Sequence, residues 1–284
     1  MYLTNATDIS CFGLRRSGNH AIINWIIRQS NGNFVHLNDI DVYQDKDPYK
    51  SFSKASIGGI NPLIYHQDNW KWQRYVKYLM NSKTEYLYGR NSLNLDREKL
   101  RKYALKKLLI HSYEHYDISD AMMPWFEERR EEFIGKSQRR FDLLIIRDPY
   151  NNFASLIKKE ESRKLSRNPE AIIKKWIEHA KEYLGLSNYF KNRININYNE
   201  WFVNKAYRQK ITEALGLIFT DAGIDTVPNV GKGSSFDKVN YTGKASNMNV
   251  LSRYQAFLDH PIMLKVLANK ELKELSEEIF GSIV

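Results

Sequence analysis

Two short stretches carry residue types and spacings from which chemistry can be read. The first is CFGLRRSGNHAIINWI, residues 11–26. Gly13 and Gly18 have four residues between them, the spacing of the GxxxxG phosphate loop of nucleoside triphosphate enzymes. A glycine-bearing turn that runs into a helix points backbone N–H groups at an anion and adds the positive helix end. Arg15 and Arg16 add charge, and a planar guanidinium matches phosphate oxygens two at a time. The ending differs. Asn19 and His20 stand where a kinase or NTPase needs a lysine for the β/γ-phosphates and a hydroxyl for Mg²⁺. The segment therefore predicts a phosphate cradle that works without metal. A plain strand-to-helix turn is the alternative.

The second stretch is FDLLIIRDPYNNFASLIKK, residues 141–159. An apolar strand ends in Arg147, Asp148 suits a helix N-cap, and Pro149 suits the first helical position. Ser155 then falls about two turns into that helix. An arginine at a strand end and a hydroxyl on the following helix can grip a second, separate phosphate. A surface arginine and a helix-interior serine make the plainer reading.

These residues need elements to position them. Strands are expected over 9–13, 33–37, 107–112, 142–146 and 193–198. Helices are expected over 19–29, 70–80, 97–105, 120–134, 149–163, 169–190, 200–215 and 271–280. Strands separated by helices predict an α/β chain, a three-layer sandwich around a central, mainly parallel sheet of about five strands. Ligands of such sheets bind beyond the carboxyl ends of the strands, where both stretches lie. The chain reads as a single domain over 1–284. Residues 220–249 show little periodicity, which in a compact enzyme marks a binding loop or cover.

Composition narrows the function classes. The formal charge is +10, from 43 Lys and Arg against 33 Asp and Glu, which suits a polyanionic partner. No dense Lys/Arg run is present, so nucleic acid is not the expected partner. Cys11 is the one cysteine, so no intrachain disulfide can form, and a buried thiol in a reducing compartment is expected. The first residues lack the pattern of a signal peptide, and no apolar run is long enough to span a membrane. These features predict a soluble, cytoplasmic protein.

Taken together, the two stretches resemble the sulfotransferases that use PAPS, 3′-phosphoadenosine 5′-phosphosulfate. Arg16-Ser17-Gly18-Asn19-His20 is similar to that family's 5′-phosphosulfate loop, and Arg147, Pro149 and Ser155 match its 3′-phosphate element, with the serine eight residues after the arginine. Tyr198 and Glu200 resemble a Tyr-Glu pair whose tyrosine lies near the adenine. The segment 232–240, KGSSFDKVN, resembles a Thr-Ser-Phe segment beside the adenosine, which would place Ser234 and Phe236 by the base. The family's Arg-Lys-Gly clamp over the 3′-phosphate has no full match, and Lys244 in TGKAS is the nearest, with Lys232 close by. The resemblance implies PAPS as donor co-substrate, no metal, and a cofactor set of Arg15, Arg16, Ser17, Gly18, Asn19, His20, Ala21, Arg147, Ser155, Tyr198, Ser234, Phe236 and Lys244. It also explains the altered loop, because a sulfuryl group carries less charge than a phosphoryl group and asks less of a metal.

Under that resemblance Arg16 takes the place of the lysine at the bridging oxygen, and His20 could donate to a sulfuryl oxygen, capping or packing being the alternative. The acceptor must lose a proton to a general base. The run KKLLIHSYEHYD, 106–117, offers Glu114 and His111 first and His115 third. His111 and His115 lack a third ligand for a metal site. His36 is read as structural. A glycan, phenol or small-metabolite acceptor is left open, with aromatic-rich segments 66–80 and 121–130 as pocket material. The competing readings are a divergent P-loop nucleotide kinase and a non-catalytic polyanion-binding protein.

Overall fold

The computed structural model describes residues 3–30, 34–40, 52–58, 84–88, 106–121, 136–161, 168–228 and 233–284. The strands are β1 (Leu3–Gly13), β2 (Phe34–Ile40), β3 (Phe52–Gly58), β4 (Thr84–Tyr88), β5 (Lys106–Glu114), β6 (Lys136–Ile146) and β7 (Arg193–Asn197). They form one seven-stranded sheet in the order β4-β3-β2-β5-β1-β6-β7. Strands β2, β5, β1, β6 and β7 are its parallel centre. β2 runs parallel to β5, with Phe34 beside Leu108 and Leu37 beside His111, whereas β3 pairs antiparallel with β2 and β4 with β3. The five expected strands are all present, and the α/β expectation with a mainly parallel centre holds. The antiparallel extension was not foreseen, because FSKASIG and TEYLY are short runs without clear alternation.

Central position explains the composition of these strands. Leu143 to Ile146 are consecutive, and each is at most 1% exposed. A strand covered on both faces has no polar face and reads as a continuous apolar run. Leu108, Leu109 and Ile110 in β5 are buried in the same way.

The helices are α1 (Asn19–Gln29), α2 (Ile118–Ala121), α3 (Pro149–Glu161), α4 (Pro169–Leu184), α5 (Tyr198–Val203), α6 (Lys205–Ala214), α7 (Pro261–Ala268) and α8 (Lys270–Phe280). Two expectations are corrected. The helix expected to reach residue 190 ends at Leu184, because Gly185 takes the left-handed conformation (φ 78°) and its N–H closes onto Glu182 O at 3.1 Å. The helix expected over 200–215 is two helices. Asn204 is extended between them and its side chain accepts from Tyr207 N at 3.1 Å, capping α6. Helix α7 was not anticipated. The expected helices 70–80 and 97–105, the aromatic segment 66–80, nearly all of the expected helix 120–134 and all but the first residue of the aromatic segment 121–130 lie outside the described residues.

The chain divides into two compact units. One comprises residues 1–12, 30–143 and 190–193, and the other 13–29, 144–189 and 194–284. The division passes through β1, β6 and β7. In the second unit, α3, α4, α7 and α8 bury one continuous cluster that includes Phe153, Ile157, Ile173, Trp176, Met263 and Leu272. Trp176 also donates its indole N–H to Arg147 O at 3.0 Å, which ties the strand end to α4. In the first unit, Phe12 stacks on Tyr113 with ring centres 4.7 Å apart.

Candidate anion-binding site

Strand β1 ends at Gly13, and the loop 14–18 leads into α1. Ser17 N donates to Leu14 O at 3.2 Å, and Ala21 N and Ile22 N donate to Gly18 O at 2.9 and 3.2 Å. Arg16 and Gly18 both have positive φ, 72° and 90°. Left-handed residues in such a turn aim successive N–H groups at a common point, the geometry of an anion nest. Asn19, which stands where a triphosphate loop has its lysine, turns back on the loop itself. Its Nδ2 donates to Leu14 O at 3.1 Å and Gly13 O at 3.4 Å. It braces the backbone in a space that only glycine leaves open, since a Cβ on Gly13 would meet Asn19 Oδ1 at 2.4 Å.

A second brace comes from α3. Asn152, fully buried, donates through Nδ2 to Arg15 O and to Ser17 Oγ, each at 3.1 Å. Asn151 donates to Asp148 and to Leu251 O at 2.9 Å, and its Oδ1 accepts from Tyr254 N at 3.2 Å. Neither asparagine was singled out from sequence. The signal was the Asn-Asn pair one turn after the Asp-Pro cap. Asp148 caps α3 by accepting from Asn151 N at 2.8 Å. Burial pushes its carboxyl above its ordinary value, against the opposing pull of Arg147 and of its hydrogen bonds.

The two stretches meet in the second unit. Arg16 Nε donates to Ser155 Oγ at 3.3 Å, and Arg16 Nη2 donates to Gly233 O at 3.3 Å. Arg147 Nη1 donates to Arg16 O at 3.2 Å, and Nη2 donates to Val250 O at 2.5 Å. Arg147 is 3% exposed, and its Nε is a buried donor with no hydrogen-bond acceptor. Ser155 Oγ lies 2.7 Å from Ser235 Oγ, which donates to Ser155 O at 3.0 Å. Thus the 14–18 loop, the Arg147 to Ser155 element and the turn 233–238 converge. Ser235 was not named from sequence, although its neighbours Ser234 and Phe236 were.

Tyr198 opens α5, with Asn197 as N-cap accepting from Asn199 N and Glu200 N. The Arg147 guanidinium stands 5.0 Å from the centre of its ring. Ser234 Oγ donates to Asp237 at 3.0 Å and accepts from Phe236 N and Asp237 N, which shapes the turn. Phe236 carries the Arg253 guanidinium 4.6 Å from its ring centre. Lys244 is exposed, with its ammonium 5.6 Å from the ring centre of Tyr241. His20 and Ala21 are half-buried in the first turn of α1.

The proposed bases belong to the first unit. Glu114 is the half-buried last residue of β5. His111 is fully buried, with Nε2 2.7 Å from Asp8 Oδ1 and Nδ1 2.6 Å from Tyr113 Oη. His115 follows Glu114 with a positive φ of 74°. His36 is buried, and its Nε2 lies 3.4 Å from Ser112 Oγ. Cys11 is buried, and its thiol is pushed far up by burial first and by the charge of Glu114 second, the condition of an unreactive thiol. Among the described residues, no group of three or more His, Cys, Asp or Glu is placed to hold a metal ion, and no helix is long and apolar enough to cross a membrane.

No protein-family model matches this chain, and no curated protein matches it. Among solved structures, it is similar to the sulfotransferase domain of the Synechococcus PCC 7002 olefin synthase, at 13% identity and a TM-score of 0.45, over 98% of this chain and 95% of that one. The mouse sulfotransferase SULT7A1 complexed with PAP matches at 12% identity and 0.45, over 98% and 91%. A sulfotransferase domain from the curacin biosynthetic pathway matches at 14% identity and 0.42, over 98% of both chains.

Proposed function

We propose that this protein is a sulfotransferase that moves a sulfuryl group from PAPS to a hydroxyl or amine of an acceptor and releases adenosine 3′,5′-bisphosphate. The observation that carries this reading is the meeting of two anion grips at one residue. Arg16 belongs to the loop after β1, its guanidinium reaches Ser155, and Arg147 donates to its carbonyl. A nucleotide with phosphates on both sides of one ribose can engage both grips. A triphosphate chain asks instead for the lysine and Mg²⁺-binding hydroxyl that Asn19 and His20 replace. The buried, acceptor-less Nε of Arg147 fits an incoming phosphate oxygen.

In this reading the loop 14–18 and the positive N-terminal end of α1 hold the 5′-phosphosulfate. Arg16 stabilises the negative charge on the phosphate oxygen as its bond to sulfur breaks, and His20 donates to a sulfuryl oxygen. The acceptor oxygen or nitrogen forms the new bond to sulfur and gives its proton to a base. Glu114, half-buried at the end of β5, is assigned that role ahead of His111, which is fully buried. Arg147 and Ser155 hold the 3′-phosphate, Tyr198, Ser234 and Phe236 face the adenosine, and residues 220–249 cover it. The acceptor class is a glycan, a phenol or a small metabolite.

The test is thermal unfolding with adenosine 3′,5′-bisphosphate in the absence of metal, followed by labelled PAPS offered to pools of sugars, phenols and amines. Ligand at a hundredfold excess over Kd stabilises by about 2.7 kcal/mol, several degrees for a chain of this size. ATP without metal should do much less. Stabilisation by Mg²⁺-ATP alone, with ATP consumption, would favour a kinase. Stabilisation by sulfated polysaccharide alone, without label transfer, would favour a non-catalytic polyanion binder.

A further inference from the structure

Asn152 sits on α3, three residues before Ser155 and on the same side of the helix. It is fully buried, so it has no surface with which to touch a ligand of the loop after β1. Its carboxamide orientation is fixed by one partner. Arg15 O can only accept, so the atom 3.1 Å from it is the amide Nδ2. The same Nδ2 stands 3.1 Å from Ser17 Oγ. The serine oxygen therefore accepts there, and its own hydrogen must go to another acceptor. The backbone N–H of Ser17 is already given to Leu14 O at 3.2 Å. The hydroxyl hydrogen is thus the polar hydrogen that residue 17 has left to offer an anion. Asn152 Oδ1, by contrast, is buried with no donor. A half-satisfied buried amide costs stability that an apolar side chain of the same size would not. The donating end of the amide is what this position uses.

Building on the reading above, we propose that Asn152 is a positioning residue for the 5′-phosphosulfate, which turns the Ser17 hydroxyl into a donor to the bound anion and fixes the loop through Arg15 O. A free hydroxyl rotates and can donate or accept. With its accepting side filled by Asn152, the Ser17 hydroxyl is left as a donor, the role that an anionic oxygen requires. Donation into Ser17 Oγ also polarises its O–H bond and strengthens the bond that it gives. Asn152 adds no charge. Its contribution is that the hydroxyl needs no reorientation when the anion arrives. Because Asn152 and Ser155 share α3, the helix that carries one phosphate grip also sets the donor of the other.

The experiment is calorimetric titration of the full chain with adenosine 3′,5′-bisphosphate, adenosine 5′-monophosphate and adenosine 3′-monophosphate. Ratios of affinities within one variant are insensitive to partial loss of folded protein. Asn152→Ala is expected to weaken the two nucleotides that carry a 5′-phosphate by about tenfold, as for loss of a buried hydrogen-bond partner, and to leave the 3′-monophosphate nearly unchanged. Asn152→Asp keeps the shape but cannot donate, and its carboxylate draws the Ser17 hydrogen to itself. It should weaken the same two nucleotides at least as much, and it serves if the alanine variant folds poorly. Ser17→Ala removes the hydroxyl. In that background Asn152→Ala should weaken the 5′-monophosphate much less than it does in the unmodified chain. Equal weakening of all three nucleotides would mark a purely structural asparagine and overturn the proposal. Unchanged binding in both Asn152 variants, or full additivity with Ser17→Ala, would overturn it too. Failure of the unmodified chain to bind the bisphosphate overturns the underlying reading, whereas those three outcomes, with binding intact, overturn only this inference.

Discussion

A Cβ on Gly18 would stand 2.1 Å from Cε2 and 2.3 Å from Cδ2 of Tyr198. The tyrosine ring therefore packs on the backbone of the anion loop, and the missing side chain of Gly18 is what lets it do so. Gly18 also has a φ of 90°, which a side chain resists.

Gly18→Ala should then destabilise the fold by two separable effects. Backbone strain alone costs more than about 1 kcal/mol, and the collision with Tyr198 adds to it. Tyr198→Ala in the same chain removes the collision and leaves the strain. Urea unfolding of the two single variants and the double variant should give a coupling of about 1 kcal/mol or more. Strict additivity would show that the ring does not rest on the loop.

The turn 233–238 should behave as part of a cover. Ser235 Oγ is bonded to both Ser155 Oγ and Ser155 O, so Ser235→Ala should raise amide exchange in this turn. Adenosine 3′,5′-bisphosphate should slow exchange there and in residues 14–21. Protection of the loop after β1 without any change over 233–250 would remove the covering role.

Acid should loosen the attachment of residues 220–222 to α1. Asp221 receives Arg208 Nε at 2.7 Å, Arg208 Nη2 at 2.8 Å and Trp25 Nε1 at 3.0 Å. Burial pushes the Asp221 carboxyl up, but the Arg208 and Trp25 bonds outweigh it, and its value in the folded chain lies below the ordinary one. A depressed folded value gives stability that is fully present above the unfolded value of about 3.9. That stability is lost as pH falls through the lower, folded value. Asp221→Asn should cost on the order of 3 kcal/mol near neutral pH and flatten the acid limb of a plot of stability against pH. An unchanged acid limb would mean that other carboxylates carry it.

The central strands and the loop were legible in the sequence because local signals and tertiary context agree there. The apolar run 143–146 is buried on both faces, and the Asp-Pro start of α3 is a local cap. The C-terminal end of α4 and the break at Asn204 were less legible, since a single glycine or asparagine decided them against an otherwise helical pattern. Asn152 and Ser235 were missed for a different reason. Their partners Arg15, Ser17 and Ser155 are brought to them by tertiary folding, and no spacing along the chain announces that. The ending Asn19-His20 could be read as a lost lysine and hydroxyl, but its positive role, Asn19 bracing the loop, depends on carbonyls that only the folded turn presents.

The final prediction separates Glu114 from His111. His111 is fully buried in the sheet and joined to Asp8 and Tyr113, while Asp8 also accepts from Ser137 Oγ at 2.9 Å. These residues lie on the neighbouring strands β5, β1 and β6, so the histidine is a cross-strand brace. His111→Gln leaves buried polar groups without their partners and should cost about 1–3 kcal/mol, with kcat per folded molecule nearly kept. Glu114→Gln should keep the fold and lower kcat by about 10²–10⁴, the range of general-base catalysis. A His111→Gln chain that folds normally yet loses kcat by that factor, beside an active Glu114→Gln chain, would exchange the two roles.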